Sequence, residues 1–313
     1  MHQESKKLDI ILLKPFLYKK ANAYKFKKSL GREIWPKVAL FFFFLSLTSI
    51  GLANTDLKNH VESNLPQNSH IRQLKWKDQS YWIKKADLNK GWLSCMGKKI
   101  LSLLAPDKIV KPTTVCEKDI LNVEARRLKE CEQKQGACVR LIMQGRDWLL
   151  TNNGGTGFEQ FLNTLPVDRR LPYIIEGLEA VLKLHTHHMV HGRASAKDLT
   201  INTSQHFIFI DLAEDPESVM SYDEARLRDL INYFITTLPF LQNTESLKRQ
   251  YLTIFLERLP PELIPLLKRL IKNTQGFEKM ASTFWRIVGR DMAKFANAHR
   301  LFQEHLKKEE TAQ

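Results

Sequence analysis

A chain of 313 residues with 43% apolar and 26% charged side chains can bury a full core, as one large domain or two smaller ones, which excludes disorder as its main character. Its net charge of +14 gathers early, because within residues 1–37 ten lysines and arginines face only Glu4, Asp9 and Glu33. Such a flank is a membrane-topology signal before it is a nucleic-acid signal, and no aromatic platform or motif supports nucleic-acid binding.

Directly after this basic segment, residues 38–53 form an uncharged run that includes Phe41, Phe42, Phe43 and Phe44. The run is slightly shorter than the roughly 20 residues that span a bilayer comfortably. It reads either as a single-pass signal anchor or as the apolar core of a cleaved signal, since Gly51-Leu52-Ala53 supplies a small-x-small cleavage pattern. Under the positive-inside rule the basic flank stays in the cytoplasm, so a protein of the inner membrane would carry its folded part outside. Residues 54–70 are polar and rich in breakers, as a tether would be.

From residue 71 the pattern changes to strands. Ile71–Trp76 and Ser80–Ala86 flank the turn-like Lys77-Asp78-Gln79, and Lys84 with its neighbour Lys85 points to opposite faces of the second strand. Glu124 lies on a helical segment through Cys131, and two further strands, Val139–Met143 and Trp148–Thr151, surround the turn Gln144-Gly145-Arg146-Asp147. Cys95, Cys116, Cys131 and Cys138 allow three pairings in an oxidising compartment and are equally ordinary as free core thiols. Gly154, Gly155 and Gly157 follow a strand, but no Lys-Ser/Thr completes a phosphate loop, so they read as a turn.

From Leu171 the chain is mostly helical by period, with later segments over Ala225–Leu241, Ser246–Leu259 and Glu262–Lys272. Strands first and helices second is an α+β order. Between them lies His191-Gly192-Arg193-Ala194-Ser195-Ala196-Lys197-Asp198, then the apolar run Phe207–Ile210 and Asp211-Leu212-Ala213. His185, His187, His188 and His191 could suggest zinc, yet no cysteine or acidic partner stands nearby at ligand spacing.

Taken in order, these segments resemble the protein-kinase superfamily, in its small bacterial lipopolysaccharide-kinase branch, over roughly residues 70–240. The resemblance implies a two-lobe fold, with residues 71–150 as a β-rich N-lobe, residues 151–305 as a helical C-lobe and residues 306–313 as a polar tail. It implies that Lys84 contacts nucleotide phosphates and pairs with Glu124, that Asp198 and Asp211 hold Mg²⁺, and that His191 and Asp229 brace the loop. Arg193 stands where a catalytic aspartate is expected, and a guanidinium cannot act as a base near neutral pH. Glu214, Asp215 and Glu217 are either a solvated acidic loop or a source of the missing carboxylate. No glycine precedes Lys84 between Asn68 and Ser80, so the phosphate-covering loop is missing.

Two functions follow from the resemblance: an atypical membrane-associated phosphotransferase using Mg²⁺ and ATP on a hydroxyl of a small molecule, sugar or protein, or an inactive pseudokinase acting as a membrane-tethered scaffold with a protein partner. The basic flank generates a test of its own. Replacing the lysines from Lys14 to Lys37 by neutral residues should weaken or invert the orientation of the 38–53 segment, read by protease accessibility of the downstream domain in intact cells.

Overall fold

The computed structural model describes residues 55–67, 69–86, 105–111, 113, 117–242, 244–283 and 290–312. The basic segment 1–37, the apolar segment 38–53, Cys95 and Cys116 lie outside these residues. Among the described residues no helix is long and apolar enough to cross a membrane. The chain divides into two compact units, Met1–Ser63 and Asn64–Gln313. Of the first, only a helix over 55–63 is described.

The second unit opens with an antiparallel sheet. Strands β1 (Ile71–Trp76) and β2 (Gln79–Lys85) form a hairpin, and β3 (Leu141–Gln144) and β4 (Trp148–Asn152) complete the order β1-β2-β4-β3. The first hairpin turns on Lys77 and Asp78, both left-handed with φ of 46° and 61°, the two-residue geometry whose twist matches paired strands. Between β2 and β3 runs helix α1 (Glu117–Gln133), which starts seven residues before Glu124. Leu121 and Ala125 on one side of α1 pack with Leu149 of β4, so the helix covers one face of the sheet.

The end of α1 is fastened. A disulfide joins Cys131 to Cys138, with Cα atoms 6.3 Å apart. Beyond it Cys138 bridges Phe209 in parallel, and Val139 N–H donates to the Phe209 carbonyl at 2.9 Å.

After β4 the chain turns through Gly154 and Gly155 into β5 (Thr156–Gly157), which pairs with β6 (Leu199–Ile201); β7 (Phe207–Phe209) completes a second, three-stranded sheet. Gly155 has a φ of 119°, and a Cβ there would meet the Ile201 carbonyl oxygen at 2.2 Å, so only glycine fits the crossing. Helices α2 (Phe158–Thr164), α3 (Arg170–Thr186), α4 (Tyr222–Thr237), α5 (Glu245–Arg258), α6 (Ile264–Thr283) and α7 (Arg290–Ala312) form the larger, helical part. Its core is one cluster in which Phe234 of α4 packs on Tyr251 and Phe255 of α5 and Phe302 of α7.

Helix α4 begins earlier than the apolar period indicates because Ser221 and Glu224 close a capping box. It also ends earlier, tightening into a 3-10 turn over Leu238–Leu241 at Pro239, which has no N–H to donate. The disulfide closes a short loop with a sequence separation of 7. Replacing both cysteines by serine should lower the unfolding free energy by about 2–3 kcal/mol through chain entropy, measured by urea titration with and without reductant.

Candidate functional site

A cleft between the four-stranded sheet and the 191–211 region gathers most of the residues selected from the sequence. Lys84, on β2, is the meeting point. Its ammonium lies 2.6 Å from Glu124 Oε2 on α1 and bonds Asp211 Oδ1 just beyond β7. The neighbouring Lys85 is paired in register with Trp148 and lies on the other face of the strand. Burial works against the charge of Lys84, but Glu124 and Asp211 together hold its pKa above the ordinary value. Burial likewise works to raise the Asp211 carboxyl, and Lys84's charge and hydrogen bond outweigh it, keeping the group below the usual range. Glu124 is different: it is buried, and desolvation lifts its carboxyl despite Lys84. Asp211 adopts a left-handed φ of 62°, a conformation uncommon outside glycine that asparagine and aspartate tolerate best.

The loop from His191 to Asp198 is shaped by one carboxylate. Asp229, fully buried on α4, accepts from the backbone N–H of His191 at 2.6 Å, Gly192 at 2.8 Å and Ala194 at 3.1 Å, while His185 Nε2 lies 3.3 Å away. Desolvation pushes its pKa up, but the His185 contact and the loop N–H groups prevail and hold it low. His191 reaches over to β7 with Nε2 2.8 Å from the Ile210 carbonyl oxygen, binding the loop to the strand end that carries Asp211. Gly192 has a φ of 101°, and a Cβ would press on Glu214 at 2.8 Å. Asp198 is buried, accepts the Ser195 hydroxyl at 2.6 Å, and has its carboxyl lifted by desolvation. His185 and His191 are thus spoken for structurally, and no group of three or more His, Cys, Asp or Glu side chains placed to hold a metal ion occurs among the described residues.

Arg193 lies at the cleft edge, 46% exposed, with Nε 3.5 Å from Glu214 Oε1. It pairs with neither Asp198 nor Asp211 in this arrangement. Glu214 is further held by Arg228 at 3.1 Å and by the Thr113 hydroxyl, and Asp215 by Arg126 at 2.6 Å. The acidic loop is therefore a clamp between α1, α4 and the 211–216 segment. Of its three carboxylates only Glu217, exposed in the 3-10 turn Pro216–Ser218, stands outside the clamp.

Sequence reading missed Ser195, whose position three residues before Asp198 is the pattern of a local side-chain bond. It also missed Trp82. That residue sits two positions before Lys84 on the same face of β2, and its indole N–H donates to Asn153 Oδ1 at 3.2 Å. Strand alternation alone would have placed it in the cleft.

No family model matches this chain, and no curated protein does. Among solved structures it is similar to the kinase PK-1 of Cydia pomonella granulovirus, with 13% identity over 63% of this chain and 78% of that one, at a TM-score of 0.32. That likeness is too low to bear on function. The mixed α+β architecture, a small antiparallel sheet followed by a helical part, fits a kinase-like fold on its own account.

Asp229→Ala should be among the most damaging single changes, leaving three buried N–H donors unmet at a cost of about 3–5 kcal/mol. The sign with pH follows from its lowered pKa. Its contribution is present above the unfolded aspartate value of about 3.9 and lost as pH falls through the lower folded value. Asp229→Asn should therefore flatten the acid limb of a thermal-midpoint profile below about pH 4, measured by circular dichroism.

Proposed function

We propose that this protein is an atypical membrane-associated phosphotransferase that binds Mg²⁺ and ATP in the cleft around Lys84. Its acceptor would be a hydroxyl of a small molecule, sugar or protein. The observation that carries the reading is the convergence of Lys84, Glu124 and Asp211 from three separate elements. A buried carboxylate that fixes a partly exposed lysine keeps a cation ready for anionic oxygens. Lys84 would hold the nucleotide phosphates, with Glu124 fixing its ammonium in place. Asp198 and Asp211 would supply the oxygen ligands, and two carboxylates suit Mg²⁺, which otherwise keeps water and takes phosphate oxygens. The side chain of Asp211 is 41% exposed, which leaves it open to such a ligand. When bound, the ion would neutralise phosphate charge.

Arg193 replaces a base by a fixed cation. Phosphoryl transfer through a loose transition state draws most of its acceleration from positioning and charge stabilisation, so the loss of a proton acceptor is tolerable. A guanidinium at that place suits the developing charge on phosphoryl oxygens. His191 and Asp229 act as loop braces in this reading and touch no reactant.

A pseudokinase that serves as a membrane-tethered scaffold for a protein partner is the second reading, and two observations favour it. The Cys131–Cys138 disulfide suits an oxidising compartment, in line with a basic flank kept inside and a folded domain exported across the inner membrane, where ATP is not supplied. Glu214 and Asp215 are also committed to arginines and do not replace the missing base.

Thermal-shift titration of the full chain separates the two. The phosphotransferase reading expects stabilisation by millimolar Mg·ATP that disappears in Asp211→Ala, and an Arg193→Ala variant that keeps the shift but loses turnover about 100-fold or more. Absence of any shift in the wild-type chain would favour the scaffold.

A further inference from the structure

Helices α4, α5 and α7 and the 3-10 turn Leu238–Leu241 line a groove of about 430 Å³ in the helical part, and none of its lining residues belongs to the Lys84 cleft. A volume of this order holds a small molecule. The floor is apolar, because Ile235 of α4, Leu238 of the turn and Leu301 of α7 reach it from the core. The rim is not. Lys248 of α5 and Lys294 and Arg300 of α7 line it against Glu245 as its one carboxylate, together with the amides of Gln242 and Asn297.

That carboxylate does not use up the positive charge. Glu245 bonds Lys248 at 2.8 Å, yet its side chain is 61% exposed while that of Lys248 is only 17% exposed. An ion pair so open to water on its acidic side is weak, and an entering anion can take the place of the carboxylate. Lys248 would keep its stem along the groove and its ammonium at the mouth. The surrounding charge registers on Glu245 itself. The hydrogen bond and charge of Lys248, and beyond them Arg300 and Arg249, hold its carboxyl below the usual range although water reaches it freely.

Gln242 gives a separate sign. It stands at φ 50° and ψ −138°, a strained conformation for any residue but glycine, and its N–H is tied to the Pro239 carbonyl at 3.0 Å. Glycine would make this turn without strain, and the chain keeps an amide side chain at the rim instead.

We infer that this groove binds a phosphate group, carried by a soluble phosphomonoester or by the headgroup of an anionic phospholipid, through Lys248 and Arg300 from two different helices. Three lining cations against one carboxylate leave an excess of two positive charges, which matches a phosphomonoester dianion. The guanidinium fork suits two phosphate oxygens, the ammonium acts as a point charge, and side-chain amides can donate to what remains. A carboxylate ligand, with one charge and two oxygens, would leave part of this donor set unmet. The apolar floor takes the carbon body of the ester.

The test is calorimetric binding of glycerol 3-phosphate to the purified full chain in zwitterionic detergent, with thermal midpoints measured in parallel in micelles doped with phosphatidic acid. Wild type should respond to at least one probe, and Lys84→Met should respond equally, since the cleft is not involved. Arg300→Ala and Lys248→Ala should each weaken glycerol 3-phosphate about tenfold or more, or remove the phosphatidic acid shift, while keeping the wild-type circular dichroism spectrum. Arg300→Lys, which keeps the charge, should stay within about fivefold of wild type and so separates lost charge from lost fold. A response to the soluble probe alone identifies a phosphomonoester, a response to doped micelles alone a lipid headgroup, and a response to both the phosphate they share. The inference is overturned if wild type responds to neither probe, if the response survives in either alanine variant, or if Lys84→Met abolishes it.

Discussion

The arrangement of the cleft depends on a single charge taken completely out of water. A carboxylate in the apolar interior is costly unless every lone pair is engaged, and Asp229 meets that demand by drawing three consecutive-region N–H groups of the 191–194 loop and the His185 ring around itself. The loop has little choice of shape once that requirement is met. Gly192 must turn left-handed, His191 is aimed at Ile210, and Asp198 follows into its buried position beside Ser195. One interior charge therefore organises both the floor of the cleft and the strand end at Asp211.

A second set of charges closes the region behind the cleft. Arg228, adjacent to Asp229 on α4, donates to the Gly192 carbonyl at 2.5 Å and holds Glu214. Arg127, buried on α1, donates to the Val190 carbonyl, while Arg126 holds Asp215. These guanidiniums work as planar multi-donors that fill carbonyl and carboxylate positions left over by a short irregular segment. The segment between Asp211 and α4 is thereby pinned from both sides.

Much of this was legible in the chain because the relevant signals are local. The β1–β2 hairpin followed from its turn residues, and alternation on β2 separated Lys84 from Lys85. Lys84 itself, with His191, Asp198, Asp211 and Asp229, was singled out by the order in which these residues match the protein-kinase superfamily. What the chain withheld depends on contacts far apart in sequence. The arginine clamp joins residues separated by 89 positions at Arg126 and Asp215 and by 101 at Thr113 and Glu214, and no period or motif announces such pairs. The acidic run 214–217 looked like a free reservoir of carboxylates for that reason. The start of α4 escaped the apolar period, although Ser221 and Glu224 stand at the capping-box spacing that announces a helix start.

The fastening at the end of α1 has a mechanical meaning. Cys138 is covalently tied to the last turns of this helix and pairs through its backbone with Phe209, two residues before Asp211. The helix that carries Glu124 is consequently linked to the strand that delivers Asp211 through one disulfide and one backbone pairing, and Lys84 closes the triangle from the sheet. Drawing the helix end away from that strand would have to break the pairing at Cys138 or carry the strand along, so the spacing of the two carboxylates is coupled to this one fastening.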